Sequence, residues 1–230
     1  MMERKTNRFA LPGGLLAAFA LWTASVCLVD VQPIGPLGSR VGFAALNSWF
    51  HALTEVHLWL YDLTDLLSVI PLGLCTGFGI LGLCQWVRRK KLRRVDRDLL
   101  LLGGFYLAVA AFFVAFECFP VNFRPVLIEG RLEASYPSST TLLVLCVMST
   151  VQMQLRRRLR PGALRRMVCT MLPCFTAFMV LARLLSGVHW LTDILGGAVL
   201  SAALVTAYRA MLSAEWNRAK RACPHGQALP

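Results

Sequence analysis

The stretch Ala182-Arg183-Leu184-Leu185-Ser186-Gly187-Val188-His189-Trp190-Leu191-Thr192-Asp193 sets an arginine, a histidine and an aspartate between two long apolar runs. Ionisable side chains are costly in such surroundings, and inside membrane segments they mark functional sites. His189 and Asp193 are four residues apart, a spacing that on a helix places both on one face. A carboxylate there holds one imidazole nitrogen and leaves the other free as nucleophile or base. The flanking runs decide the fold class.

Outward from this stretch, apolar runs of about 20 residues, the length that crosses a bilayer as a helix, recur at roughly 11–29, 66–87, 99–119, 138–155, 167–185 and 191–212. Composition agrees: 57% of the 230 residues are hydrophobic and 16% charged, whereas a soluble domain carries about 25% charged residues. The sequence predicts an all-α, polytopic membrane protein of six transmembrane helices. A single domain spans 1–214, and a short basic tail, 215–230, follows on the cytoplasmic side.

The net charge of +12 invites a nucleic-acid reading, but the placement of the basic residues argues for topology instead. They cluster before the first run (Arg4, Lys5, Arg8), after the second (Arg88 to Arg97), after the fourth (Arg156 to Arg166) and at the end of the sixth (Arg209, Arg218, Lys220, Arg221). With six crossings these groups share one side, and only Arg40, Arg124, Arg131 and Arg183 of the 24 Lys and Arg remain for the other. The positive-inside rule makes the basic side cytoplasmic and puts both termini there. The first run resembles a signal peptide in following basic residues. It is long for one, however, and Ala24-Ser25-Val26-Cys27 is a poor cleavage site. Most cysteines fall inside apolar runs and read as core thiols; Cys27 and Cys118 lie near the outer ends of their helices.

Between the first two runs, Asp30 to Arg40 is turn-rich, with Pro33, Gly35, Pro36 and Gly38. From Val41 to Tyr61, apolar and polar residues alternate at helical spacing, which predicts an amphipathic helix on the outer interface, with His51 and His57 facing headgroups or water. Gly73, Gly77, Gly79 and Gly82 in the second span suggest close helix packing. The third span carries Glu117 to its outer end, and an outer loop follows with Asn122, Arg124, Glu129, Arg131 and Glu133. Tyr136-Pro137-Ser138-Ser139-Thr140-Thr141 then opens the fourth. Its small hydroxylated residues suit a helix N-terminus, which is also a ready anion site.

Topology therefore gathers Arg124, Ser138, Ser139, Arg183, His189 and Asp193 on the outer face from three separate segments. Two guanidinium groups offer planar donors to a phosphate, the start of the fourth helix offers N–H groups, and His189 offers a nucleophile. This set suits phosphoryl transfer through a phosphohistidine.

These residues resemble the motifs of the type 2 phosphatidic acid phosphatase superfamily: Lys-x6-Arg-Pro, then Pro-Ser-Gly-His, then Ser-Arg-x5-His-x3-Asp. Spacing matches in all three blocks, over roughly residues 99–205. Ala182-Arg183-x5-His189-x3-Asp193 differs only in its first residue. Arg124-Pro125 stands, with Glu117 in place of the lysine, and Pro137-Ser138-Ser139-Thr140 has threonine in place of histidine. The resemblance implies that Arg124, Ser138 and Arg183 bind phosphate, that His189 attacks it and that Asp193 orients His189. It also implies a six-helix plan, a phosphorylated lipid as substrate and a hydrolase at the outer face of the cell membrane.

The departures bear on mechanism. In the family the second-block histidine protonates the leaving oxygen, which threonine cannot do, and the loss of a general acid typically costs on the order of 10²–10⁴ in rate. A phosphate leaving from a diphosphate needs no such proton, so a lipid diphosphate such as a polyprenyl diphosphate is the expected preference. Glu117 or His57 are alternative acids, Glu117 is equally suited to pair with Arg124 or Arg183, and Arg131 is a candidate to replace the missing cation. A different class also stays open: a weakened relative that binds or transports a phosphorylated lipid. No metal cluster or nucleotide loop is visible, so no cofactor is expected, and no nucleic-acid partner.

Overall fold

The computed structural model describes residues 8–222, and these form a bundle of eight α-helices: α1 (Ala10–Leu28), α2 (Ala44–Thr54), α3 (Leu58–Leu67), α4 (Val69–Arg89), α5 (Arg97–Cys118), α6 (Ser139–Arg158), α7 (Ala163–Leu185) and α8 (Leu191–Ala222). The described residues contain no strands, only isolated bridges such as Phe123 with Ala134. Five stretches are long and apolar enough to cross a membrane: α1, the near-continuous α3–α4 unit over Leu58–Arg89, α5, α7 and α8 to Glu215. The molecule is a multi-pass helical membrane protein.

The fourth predicted span is present as α6, with 20 residues, but it is less apolar than the others because it lies among them. Val144, Cys146, Val147, Thr150, Val151 and Gln154 are all fully buried. Its polar groups are matched inside the bundle: Thr150 Oγ1 lies 3.1 Å from the Tyr106 hydroxyl, and Gln154 Nε2 donates to the Tyr208 hydroxyl at 2.7 Å. A helix enclosed by protein can carry such groups where a lipid-facing one cannot.

The basic loops meet at one end of the bundle. Arg89 pairs with Asp96 at 2.9 Å, Arg158 with Asp98 at 2.8 Å and Arg97 with Glu215 at 2.9 Å, joining α4, α5, α6 and α8. At the other end Trp22 Nε1 donates to the Thr192 carbonyl at 3.3 Å, and Asn47 Nδ2 donates to Thr192 Oγ1 at 3.0 Å. The first helix is thus built into the fold: Phe19 stacks on Tyr136, and Thr23 bonds its hydroxyl at 2.7 Å. All seven described cysteines, Cys27 and Cys118 included, are free thiols.

Three local expectations change. The interfacial helix expected over 41–61 ends at Thr54, and the second span starts at Leu58 rather than 66, so Tyr61 belongs to the bundle. The break has a steric cause. Glu55 adopts φ 55°, the His57 N–H bonds the Ser186 carbonyl at 2.9 Å, and the turn at Gly187 (φ 69°) presses so closely that a Cβ there would collide with the Glu55 carbonyl oxygen. His51 is accordingly no free interfacial residue, since its ring lies 5.5 Å from that of Trp190. The glycines of α4 do not serve close packing: a Cβ on Gly73, Gly77, Gly79 or Gly82 would meet nothing within 4 Å. Finally, α8 continues to Ala222, into the segment expected to be a tail; residues 223–230 of that tail and 1–7 at the other terminus lie outside the described residues.

Gly187→Ala is therefore expected to destabilise the protein by about 2 kcal/mol or more through strain and overlap. Gly73→Ala, in an open helical position, should be neutral or raise stability by about 0.5–1 kcal/mol. Thermal unfolding of the two variants in detergent checks the contrast.

Candidate active site

The chain from Ser186 to Trp190 leaves α7, turns at Gly187 and enters α8, carrying His189 on irregular backbone just before the helix. The helical one-face argument for His189 and Asp193 is therefore replaced by a cap. Asp193, in the first turn of α8, reaches back so that its Oδ2 accepts the Trp190 N–H at 2.9 Å, as a capping-box carboxylate does. The same Oδ2 lies 3.7 Å from His189 Nδ1, near enough to orient the ring electrostatically but beyond a formed hydrogen bond. Oδ1 accepts from Asn122 Nδ2 at 3.2 Å.

The segment before α6 is locked onto α8 beside this cap. The Ser138 N–H donates to the Asp193 carbonyl at 3.0 Å. Gly196 makes the approach feasible, because a Cβ there would stand 2.6 Å from the Tyr136 ring. Ser138 is the N-cap of α6: its Oγ accepts from Thr141 N at 3.5 Å and from the Thr141 hydroxyl at 3.1 Å. Its N–H is thus used within the fold while its hydroxyl, an acceptor in both bonds, keeps its own O–H as a donor; with the N–H groups of Ser139 and Thr140, in the first turn, these are the donors the N-terminus offers to an anion.

Arg124 and Arg183 converge on Tyr61, their guanidinium carbons 5.5 and 4.5 Å from its ring centroid. Arg183 Nη1 donates to Thr64 Oγ1 at 3.0 Å and to the Tyr61 carbonyl at 3.4 Å. Arg124 Nε lies 3.1 Å from Glu133 Oε2, and its backbone N–H bonds the Glu133 carbonyl at 3.0 Å. Trp190 Nε1 donates to the Phe123 carbonyl at 2.7 Å, tying this loop to the His189 turn.

What remains unpaired defines the site. Arg124 Nη1, Arg183 Nε and both ring nitrogens of His189 are buried without a well-formed hydrogen bond, while Arg124 Nε has only its ion-pair contact with Glu133. Buried polar groups are nearly always satisfied, so several unsatisfied donors together mark a place for an anion. Burial, followed by the positive charges of Arg124 and Arg183, holds the His189 imidazole neutral to well below its ordinary value of 6.5.

The structure brings Arg124, Ser138, Ser139, Thr140, Arg183, His189 and Asp193 to one end of the bundle. Glu117 is exposed near the end of α5, beside Ser139 and Tyr136 around a small crevice, and it pairs with neither arginine. Arg131 is exposed at the tip of a turn closed by its own bridge to Ile128. His57 caps α3, with its backbone bonded to Ser186. No group of three or more His, Cys, Asp or Glu among the described residues could hold a metal ion. Tyr61, Thr64 and Asn122 belong to the site and were not singled out from sequence. A signal existed for the first two: Tyr61, Thr64, Asp65 and Ser68 form a polar stripe at helical spacing where an apolar run begins.

These features define a class: a multi-pass helical protein with a buried histidine beside two buried arginines at one end of its bundle. Comparison with known proteins names it more closely. Residues 115–217 match the PAP2 superfamily, whose members are phosphatases. Among solved structures, the chain is similar to the first transmembrane PAP2 type phosphatidylglycerolphosphate phosphatase from Bacillus subtilis. The TM-score is 0.55 over 88% of this chain and 96% of that one, at 19% identity. No curated protein sequence matches the chain significantly. Together the match and the likeness support a membrane lipid phosphatase in general.

Histidine-labelled ¹⁵N NMR of the detergent-solubilised protein should show His189 staying neutral as pH falls through 6.5 and protonating only well below it. Arg183→Gln, by removing one neighbouring cation, should move that midpoint upward.

Proposed function

We propose that the protein removes phosphate from a phosphorylated lipid, a monophosphate or a diphosphate, at the outer membrane face through a phosphohistidine on His189. The observation that carries this reading is the neutral, buried His189 with both nitrogens unpaired, set among the unpartnered donors of Arg124 and Arg183. Phosphate oxygens would take the Arg124 and Arg183 guanidinium groups and the first N–H groups of α6, which meet charge as it develops on the equatorial oxygens. With Asp193 nearest Nδ1, Nε2 is the attacking nitrogen, and the carboxylate stabilises the positive charge that the ring acquires. Water then cleaves the P–N bond.

The basic end of the bundle, read by the positive-inside rule as cytoplasmic, leaves the site on the outer side with both termini inside. The choice between monoester and diphosphate turns on the proton for the leaving oxygen. Thr140 does not supply one, so on that residue alone a polyprenyl diphosphate is the better substrate. A monoester requires an acid from elsewhere in the site.

Phosphate release from a small lipid panel is the test. His189→Ala should lower turnover on every substrate by on the order of 10⁴-fold or more, and Asp193→Asn by about 10²–10⁴. Lipid binding without turnover by the wild type would instead favour a non-catalytic binding or transport role.

A further inference from the structure

A cavity of about 420 Å³ opens between α3–α4 and α5 and ends against the first turn of α6, at Ser139 and Thr140. Its wall is otherwise mostly apolar, with Leu72, Val109, Phe113 and Leu143, which suits the hydrocarbon part of a lipid. The one charged residue on it is Asp65. This carboxylate sits inside the Leu58–Arg89 span, where an ionisable group is expensive and functional by default. Among the described residues no hydrogen bond or ion pair engages it.

Its position on α3 ties it to the phosphate site. Asp65 follows Thr64, whose hydroxyl holds Arg183, and it lies one turn beyond Tyr61, whose ring both guanidinium groups approach. Its charge acts on Arg183. Across the same cavity stands Thr140, the position at which the second motif block ordinarily carries histidine. The phosphate end and the apolar end of a lipid therefore meet where Asp65 faces the cavity.

Resting on the function proposed above, we infer that Asp65 is the general acid of this site, protonating the leaving oxygen in place of the absent histidine. In the first step the His189 lone pair forms the N–P bond while the bond from phosphorus to the lipid oxygen breaks. The electron pair of that bond stays on the oxygen, which takes the proton of the Asp65 carboxyl, and the lipid alcohol departs. In the second step water attacks phosphorus and gives its proton to the Asp65 carboxylate, the N–P electrons return to His189, and phosphate leaves. Both residues end as they began.

The test compares kcat/KM for phosphatidate, whose alkoxide needs a proton, with that for a polyprenyl diphosphate, whose phosphate leaving group does not. Asp65→Asn should lower the phosphatidate value by about 10²–10⁴ and the diphosphate value by less than about tenfold, so that the ratio collapses while diphosphate turnover reports an intact fold. Asp65→Glu should restore part of the ratio, and Asp62→Asn, an exposed neighbour off the cavity, should keep the wild-type ratio. Equal loss on both substrates in Asp65→Asn, or an unchanged ratio, overturns the assignment. Turnover persisting in His189→Ala would instead overturn the phosphohistidine reading, so the two failures are distinct.

Discussion

The carboxylate of Asp193, fully buried at the start of α8, is the group on which the arrangement of this molecule turns. One oxygen caps the Trp190 N–H and faces His189, the other accepts from Asn122, and the backbone carbonyl of the same residue receives the Ser138 N–H. Both ends of the connection between α5 and α6 and the turn before α8 are thereby fixed to one residue. A charge so deeply placed is tolerable only when hydrogen-bonded, and the donors that satisfy it are the ones that assemble the site.

Around this point the bundle divides its polar groups by role. Those of α6 are consumed in pairs with Tyr106 and Tyr208, which is why a helix of modest apolarity can run through the middle. Those at the other end are held but not satisfied: Thr64 and the Tyr61 ring position Arg183, Glu133 lies beside Arg124, and each guanidinium still has free donors. Preorganised donors of this kind stabilise developing charge without rearrangement. The cations also suppress protonation of His189, which is what the proposed phosphoryl transfer requires of its nucleophile.

Much of this was legible in sequence because the signals are local or periodic. Apolar runs gave the long helices, basic clusters gave the common end, and Arg183, His189 and Asp193 pointed to the candidate site, although the last two meet through a helix cap rather than one helical face. What was not legible depended on tertiary contact. The turn at Gly187 wedges against Glu55 and starts the second span earlier than hydropathy suggests, which moves Tyr61 out of the expected surface helix, and Thr64 and Asp65 out of the connection after it, into the bundle. Ser138 read as a phosphate ligand from sequence; its N–H is spent on the Asp193 carbonyl, because α8 lies close enough at Gly196 and Gly197 to take it. The role of Asn122 required the loop after α5 to fold back on α8, which spacing alone does not show.

The central claim is that His189 itself carries the phosphoryl group. Rapid quenching of the purified protein with a lipid substrate labelled at phosphorus, followed by peptide mapping under alkaline conditions that preserve phosphohistidine, measures this directly. Transient label on the peptide containing His189, formed and lost at rates consistent with turnover, is the predicted result. Steady turnover with no trappable label at any time point, or label on a different residue, would contradict it.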